Sequence, residues 1–230
     1  MSRGYYQLPN GRVASIDGDC DFPPLEEALR DPNGLIAIGG DLSFDRLLTA
    51  YRQGIFPWFS DGDPIMWWSP NPRMVLFPSE LKISNSLAKT LKKTSFEIRF
   101  NTDFRQVITA CSHTLRNGQP GTWITADIIE AYCTMHGAGY AISAECWLDN
   151  KLVGGCYGIK IGKMFYGESM FHHVSDASKV AFVSLVQKLK TEGVEMIDCQ
   201  MKTAHLTSLG AREISRDYFA QMLSKLISSA

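Results

Sequence analysis

Three apolar stretches between Ala141 and Phe171 most constrain the fold of this chain. Residues 141–148 and 151–161 read as strands around a turn at Asp149-Asn150, and a third strand follows Gly162. A helix is expected next, from about Asp176 to Lys190. Phe182, Leu185, Val186 and Leu189 fall on one stripe of it, at i, i+3, i+4 and i+7. Glu195–Met201 reads as a short strand. A last helix over about Arg216–Ile227 places Phe219, Met222, Leu223 and Leu226 on one face. A meander, a helix, a strand and a closing helix must pack as layers, which points to an α+β fold.

The chain before this region has a different texture. The stretch from Asn33 to Ser43 alternates turn residues with a short apolar run. Ser43 is placed to cap a helix reaching Gln53 and stopped by Gly54. Ser69-Pro70-Asn71-Pro72 marks a boundary, because each proline drives its predecessor out of helical geometry. The expected division is therefore 1–72 and 73–230. Past it, Phe96, Ile98 and Phe100 alternate as in a half-buried strand. Thr125 can cap a helix to about His136, ended by Gly137 and Gly139.

With 23 basic against 24 acidic residues the net charge is −1. That argues against broad coating of nucleic acid but allows a local basic patch. Lys82, Lys89, Lys92 and Lys93 fall within one expected helix, either a phosphate-binding stripe or a solvated face. The six cysteines form no CxxC pair and no zinc spacing, and read as reduced, mostly buried thiols of a cytoplasmic protein. The N-terminus lacks the apolar stretch of a signal peptide, and no run reaches a membrane span of roughly 18 residues.

Four clusters can carry chemistry. Tyr51 to Ser60, followed by Trp67 and Trp68, is dense in aromatics: either stacking platforms for unpaired bases or a small aromatic core. Gly121-Thr122-Trp123-Ile124-Thr125 sets a Trp beside a helix cap. Glycines at 154, 155 and 158 interrupt an apolar strand, marking a bulge or a close approach by a ligand. Glu168 and Ser169 then stand among apolar strand residues, where a carboxylate can hold a substrate ammonium group or face solvent. In Met196–Met201, strand alternation puts Asp198 and Gln200 on one face, either toward one substrate or as a structural strand end.

Nine stretches, in order from residue 32 to 211, resemble the leucyl/phenylalanyl-tRNA–protein transferase family: PNGLIAIGGDLS, YRQGIFPWFS, MWWSPNPR, GTWIT, LVGGCYG, YGESMF, ASK, IDCQ and HLTSLGA. The resemblance implies a small N-terminal domain plus a GNAT-like acyltransferase domain. It implies leucyl-tRNA or phenylalanyl-tRNA as donor, an acceptor protein beginning with Arg or Lys, and a product whose new N-terminus is a degradation signal. Carried over residue by residue, it places Asp198 and Gln200 at the reacting centre. Glu168 and Ser169 come with YGESMF, and Tyr51, Trp58 and Trp123 meet the tRNA 3′ end. Cys156, Phe165, Met170, Leu185 and Ile197 line the donor side-chain pocket. At Cys156 and Leu185 a relative carries the larger Met and Phe, so the choice between leucine and phenylalanine stays open.

The donor ester is already activated. The enzyme needs to hold an amine against it and exclude water, with no metal and no cofactor called for. Asp198, aligned with Gln200, would accept or guide the amine's proton. Two other readings compete. An acetyl-CoA enzyme would need an [RQ]xxGx[GA] turn before the helix at 176–190, which is missing from the sequence. A non-catalytic RNA-binding module would explain the aromatics but not Asp198, Gln200 and Glu168 together.

Overall fold

The computed structural model describes residues 4–18, 21–93, 95–114 and 122–228. Cys20 and Gly121 lie outside the described residues. The first part of the chain builds strands β1 (Gly4–Leu8), β2 (Gly11–Ser15) and β3 (Leu35–Ile38), then helix α1 (Phe44–Arg52), then β4 (Phe56–Pro57) and β5 (Met66–Trp68). The strands form one sheet in the order β1-β2-β3-β5-β4. Ser43 caps α1 as expected, its side chain accepting from the Arg46 amide. Gly54 ends it at φ +74°, a left-handed conformation that suits glycine.

The rest of the chain gives β6 (Arg73–Leu76), α2 (Asn85–Lys93), β7 (Glu97–Phe100), α3 (Phe104–Ser112) and α4 (Ala126–Gly137). The meander follows as β8 (Ala141–Leu148), β9 (Lys151–Ile161) and β10 (Met164–His172). Then come α5 (Ala177–Thr191), β11 (Met196–Gln200), α6 (Ala204–Ser208), β12 (Arg212–Ile214) and α7 (Arg216–Ile227). Their strands make a second sheet, β12-β6-β11-β10-β9-β8-β7. Every strand of the first sheet precedes Ser69 and every strand of the second follows Pro72. The elements read from the sequence after Phe96 occur in the expected order, and α3, α6 and β12, which that reading did not give, stand between them. Two further details differ. Gly137 lies inside α4, and the turn falls at Gly139, φ +84°. Lys82 precedes α2, so only Lys89 and Lys92 stand exposed on it; of Lys93 only the backbone is described.

Two cores sandwich the second sheet. The α5 stripe of Phe182, Leu185, Val186 and Leu189 is buried against one face, together with Phe165 and Ile197. Each such side chain contributes about 1.5–3 kcal/mol relative to exposure. The other face shares a continuous core with the first part of the chain. Tyr51, Ile55 and Phe56 pack there with Tyr132, Tyr166 and Phe219. A Cβ at Gly54 would stand 2.8 Å from the Phe219 ring, so that glycine both stops α1 and admits α7. Five cysteines, Cys111, Cys133, Cys146, Cys156 and Cys199, are free thiols. No described helix is long and apolar enough to cross a membrane.

Candidate active site

The site begins where two parallel strands stop pairing. β10 and β11 are in register only at Met164–Met196, Phe165–Ile197 and Tyr166–Asp198. Beyond these, β10 shifts register against β9 between Gly167 and Ser169, and β11 shifts against β6 between Asp198 and Gln200. Bulges bend strands and redirect side chains. A cavity of about 450 Å³ opens here, with Gly167, Glu168 and Ser169 on one side and Cys199, Gln200 and Met201 on the other.

One end of the cavity is an apolar slot. Cys156, Phe165 and Met170 line it from β9 and β10, and Phe182 and Leu185 from α5. The helix reaches these strands because Gly154 has no side chain. A Cβ there would stand 2.6 Å from the Ala177 Cβ and 2.9 Å from the Ser178 nitrogen. At Gly158 it would stand 2.0 Å from the Tyr166 carbonyl and 2.5 Å from the Phe165 ring. The close approaches read from these glycines are thus made by the protein's own helix and strands. The slot is lined by apolar side chains, as small-molecule sites usually are.

The indoles of Trp58 and Trp123 border the other end and are partly exposed. Trp58 meets Trp68 edge to face, with centroids 5.7 Å apart, and the Trp68 indole N–H donates to the Trp58 carbonyl at 2.6 Å. Trp123 precedes Thr125, whose side chain caps α4. Both indoles rest on the core while part of each surface stays available to a ligand.

Glu168 is the carboxylic acid that lines the cavity. The Tyr51 hydroxyl donates to its Oε1 at 2.7 Å and the Tyr132 hydroxyl to its Oε2 at 3.4 Å, and the two hydroxyls also touch. Burial pushes the acid up to about 8, the nearby Asp198 charge adds to this, and the tyrosine hydrogen bonds and Arg73 pull it back. Such a group exchanges a proton near neutral pH.

Asp198 occupies a different position. It is 0% exposed and pairs with an equally buried Arg73, whose Nε donates to Oδ1 at 2.8 Å and whose Nη2 donates to Oδ2 at 2.6 Å. Oδ1 also accepts the Gln200 backbone amide at 2.9 Å. Asp198 does not line the cavity, whereas Gln200 does. The shared face expected from strict alternation is corrected by the bulge, which puts Gln200 at φ +55°. Two further expectations change. Tyr51 is 0% exposed and supports Glu168 from behind, so its ring offers no surface to a nucleotide. Ile197 packs in the core beneath the slot and does not line it.

Trp58, Trp123, Cys156, Phe165, Glu168, Ser169, Met170, Leu185 and Gln200 are brought together on one cavity. Sequence reasoning missed Arg73 and Tyr132 as partners of the site's carboxylates. Arg73 ends the MWWSPNPR stretch, but its partner lies 125 residues away. Tyr132 sits within an apolar helix pattern and reads as core. His205, whose Nε2 is buried with no partner among the described residues, also lines the cavity.

The chain is similar to known proteins over most of its length. Residues 75–224 match the family described as leucyl/phenylalanyl-tRNA protein transferase, and residues 40–71 match that family's N-terminal domain. A leucyl/phenylalanyl-tRNA–protein transferase of Chromobacterium violaceum is 60% identical over 204 residues, covering 89% of this chain and 87% of the relative. One from Nitrosomonas eutropha is 58% identical over 214 residues, covering 93% and 91%. A solved GCN5-related N-acetyltransferase from Kribbella flavida is 9% identical with a TM-score of 0.36, covering 73% of this chain and 60% of that one, too distant to carry weight. Two family matches that together run from residue 40 to 224, and relatives identical at more than half of the aligned positions, make this chain a member of the leucyl/phenylalanyl-tRNA–protein transferase family.

Proposed function

We propose that this protein transfers leucine or phenylalanine from aminoacyl-tRNA to the N-terminal Arg or Lys of an acceptor protein, in the cytoplasm, where the charged tRNA is made. One observation carries the reading: a single cavity joins an apolar side-chain slot, two partly exposed indoles and the carboxyl of Glu168. The donor side chain fills the slot between Phe165 and Leu185. The terminal adenosine stacks on Trp58 and Trp123, as unpaired bases do on aromatic faces. Glu168 faces the amino groups. Its position near neutrality lets it take the proton that the attacking amine must lose. Gln200 aligns the reacting groups by hydrogen bonding. Asp198 acts one step back, through Gln200. The slot discriminates by shape, and a methylene's worth of misfit costs about 1–3 kcal/mol.

The test uses labelled leucyl-tRNA and peptides beginning with Arg, Lys or Ala. Label should pass to the first two and not to the third. Label transferred equally to all three would remove the acceptor assignment, and no transfer by folded protein would remove the reaction.

A further inference from the structure

We propose that Arg73 is a positioning residue for the transfer reaction, acting on Gln200 through the Asp198 carboxylate. The inference rests on the reading that Gln200 faces the reacting groups. It starts from a backbone anomaly. Gln200 has φ +55°, a region few residues other than glycine enter without support. The Met201 amide closes the turn by donating to the Cys199 carbonyl at 2.7 Å. A γ-turn of positive φ is rare and strained. The bulge skips Cys199, so that Gln200 stands opposite Met74, and Asp198 Oδ1 accepts the Gln200 N–H at 2.9 Å. That side-chain acceptor keeps the kink, and the kink brings Gln200 to the cavity wall.

A buried carboxylate with this task must itself be neutralised and fixed. Arg73 does both, spanning the two carboxylate oxygens at 2.8 and 2.6 Å. Its guanidinium lies between the Phe56 ring, at 4.9 Å, and the Phe219 ring, at 4.6 Å. Nη1 reaches the Ser69 hydroxyl at 3.5 Å. The flat cation is thus held on two faces and along its edge. An ammonium group in its place keeps the charge but cannot span both oxygens in one plane. The chain of support runs from Phe56 and Phe219 through Arg73 and Asp198 to the Gln200 backbone. Arg73 touches no substrate.

Single-turnover transfer from leucyl-tRNA by the full chain tests this, with the folded fraction measured beside it. Arg73→Lys should slow turnover by about 10²-fold, the scale on which small misplacements act. Donor KM should hold, because the slot and both indoles stay in place. Gln200→Gly removes the side chain but accepts positive φ, so it keeps the kink. In that background Arg73→Lys should cost no more than about twofold. Equal losses in both backgrounds, or wild-type turnover by Arg73→Lys, would overturn the inference. If Arg73→Lys does not fold, Phe219→Leu leaves the ion pair in place and frees one face of the guanidinium. Its loss should likewise vanish beside Gln200→Gly, and persistence there would overturn the inference. Wild-type protein that transfers nothing from leucyl-tRNA would instead refute the functional reading.

Discussion

Replacing Glu168 by Gln separates what this residue does for the reaction from what it costs the fold. In the folded chain the acid rises from 4.5 to about 8. Between those values the unfolded chain has released the proton while the folded chain still holds it. The folded state therefore loses stability as pH rises from about 4.5 to about 8, and is unaffected by this group below that window. At about 1.36 kcal/mol per pH unit the full effect is about 5 kcal/mol. The carboxyl faces the open cavity, so water screens part of it and about 2–3 kcal/mol is expected. Glutamine keeps the size and an acceptor for the Tyr51 hydroxyl but never ionises. Glu168→Gln should melt with the wild type near pH 4 and about 4–12 °C above it near pH 8.5, at about 2–4 °C per kcal/mol for a chain of this size. Transfer by the same variant should fall by about 10²–10⁴, the range of general acid–base assistance. The assay is paired calorimetry across pH with single-turnover transfer at saturating donor. A melting difference that does not change with pH, or a variant less stable than wild type at pH 8.5, would refute the account of Glu168.

Other expectations follow from the same geometry. Asp198→Asn should destabilise the fold by about 3–5 kcal/mol, because it strands a buried Arg73 charge, and a denaturant midpoint equal to wild type would contradict that burial. Trp58→Ala and Trp123→Ala should each weaken donor binding by about 1–3 kcal/mol in equilibrium titration with leucyl-tRNA, and unchanged affinity would remove the stacking role. Leu185→Phe should shorten the slot, so that a competition assay shows phenylalanyl-tRNA losing more than leucyl-tRNA; an unchanged ratio would place the donor side chain elsewhere.

Much of this architecture is local, and local features are legible in a sequence. Ser43 and Thr125 cap their helices through neighbouring amides, and the α5 stripe repeats within one element. The slot residues Cys156, Phe165, Met170 and Leu185 could be placed because the ordered motifs resemble a family whose elements hold them. Non-local chemistry was less legible. The sheet pattern gave Asp198 and Gln200 a common face, since alternation has a period of two and nothing in IDCQ announces a bulge. For Tyr51 the sequence leaves a stacking platform and an aromatic core both open, because its partners, Tyr132 and Glu168, arrive from α4 and β10.

The sequence by itself determined the meander, the helices around it, the Ser43 and Thr125 caps and the apolar faces, because each depends on neighbours a few positions apart. Only the tertiary structure decided which carboxylate lines the cavity. Arg73 and Asp198 are 125 residues apart, and Tyr51 and Glu168 are 117 apart. Folding neutralised Asp198 with a guanidinium and left Glu168 with two hydroxyls and a raised pKa. A carboxylate's chemistry depends on the charges and dielectric around it, and those are set by whatever the fold packs beside it.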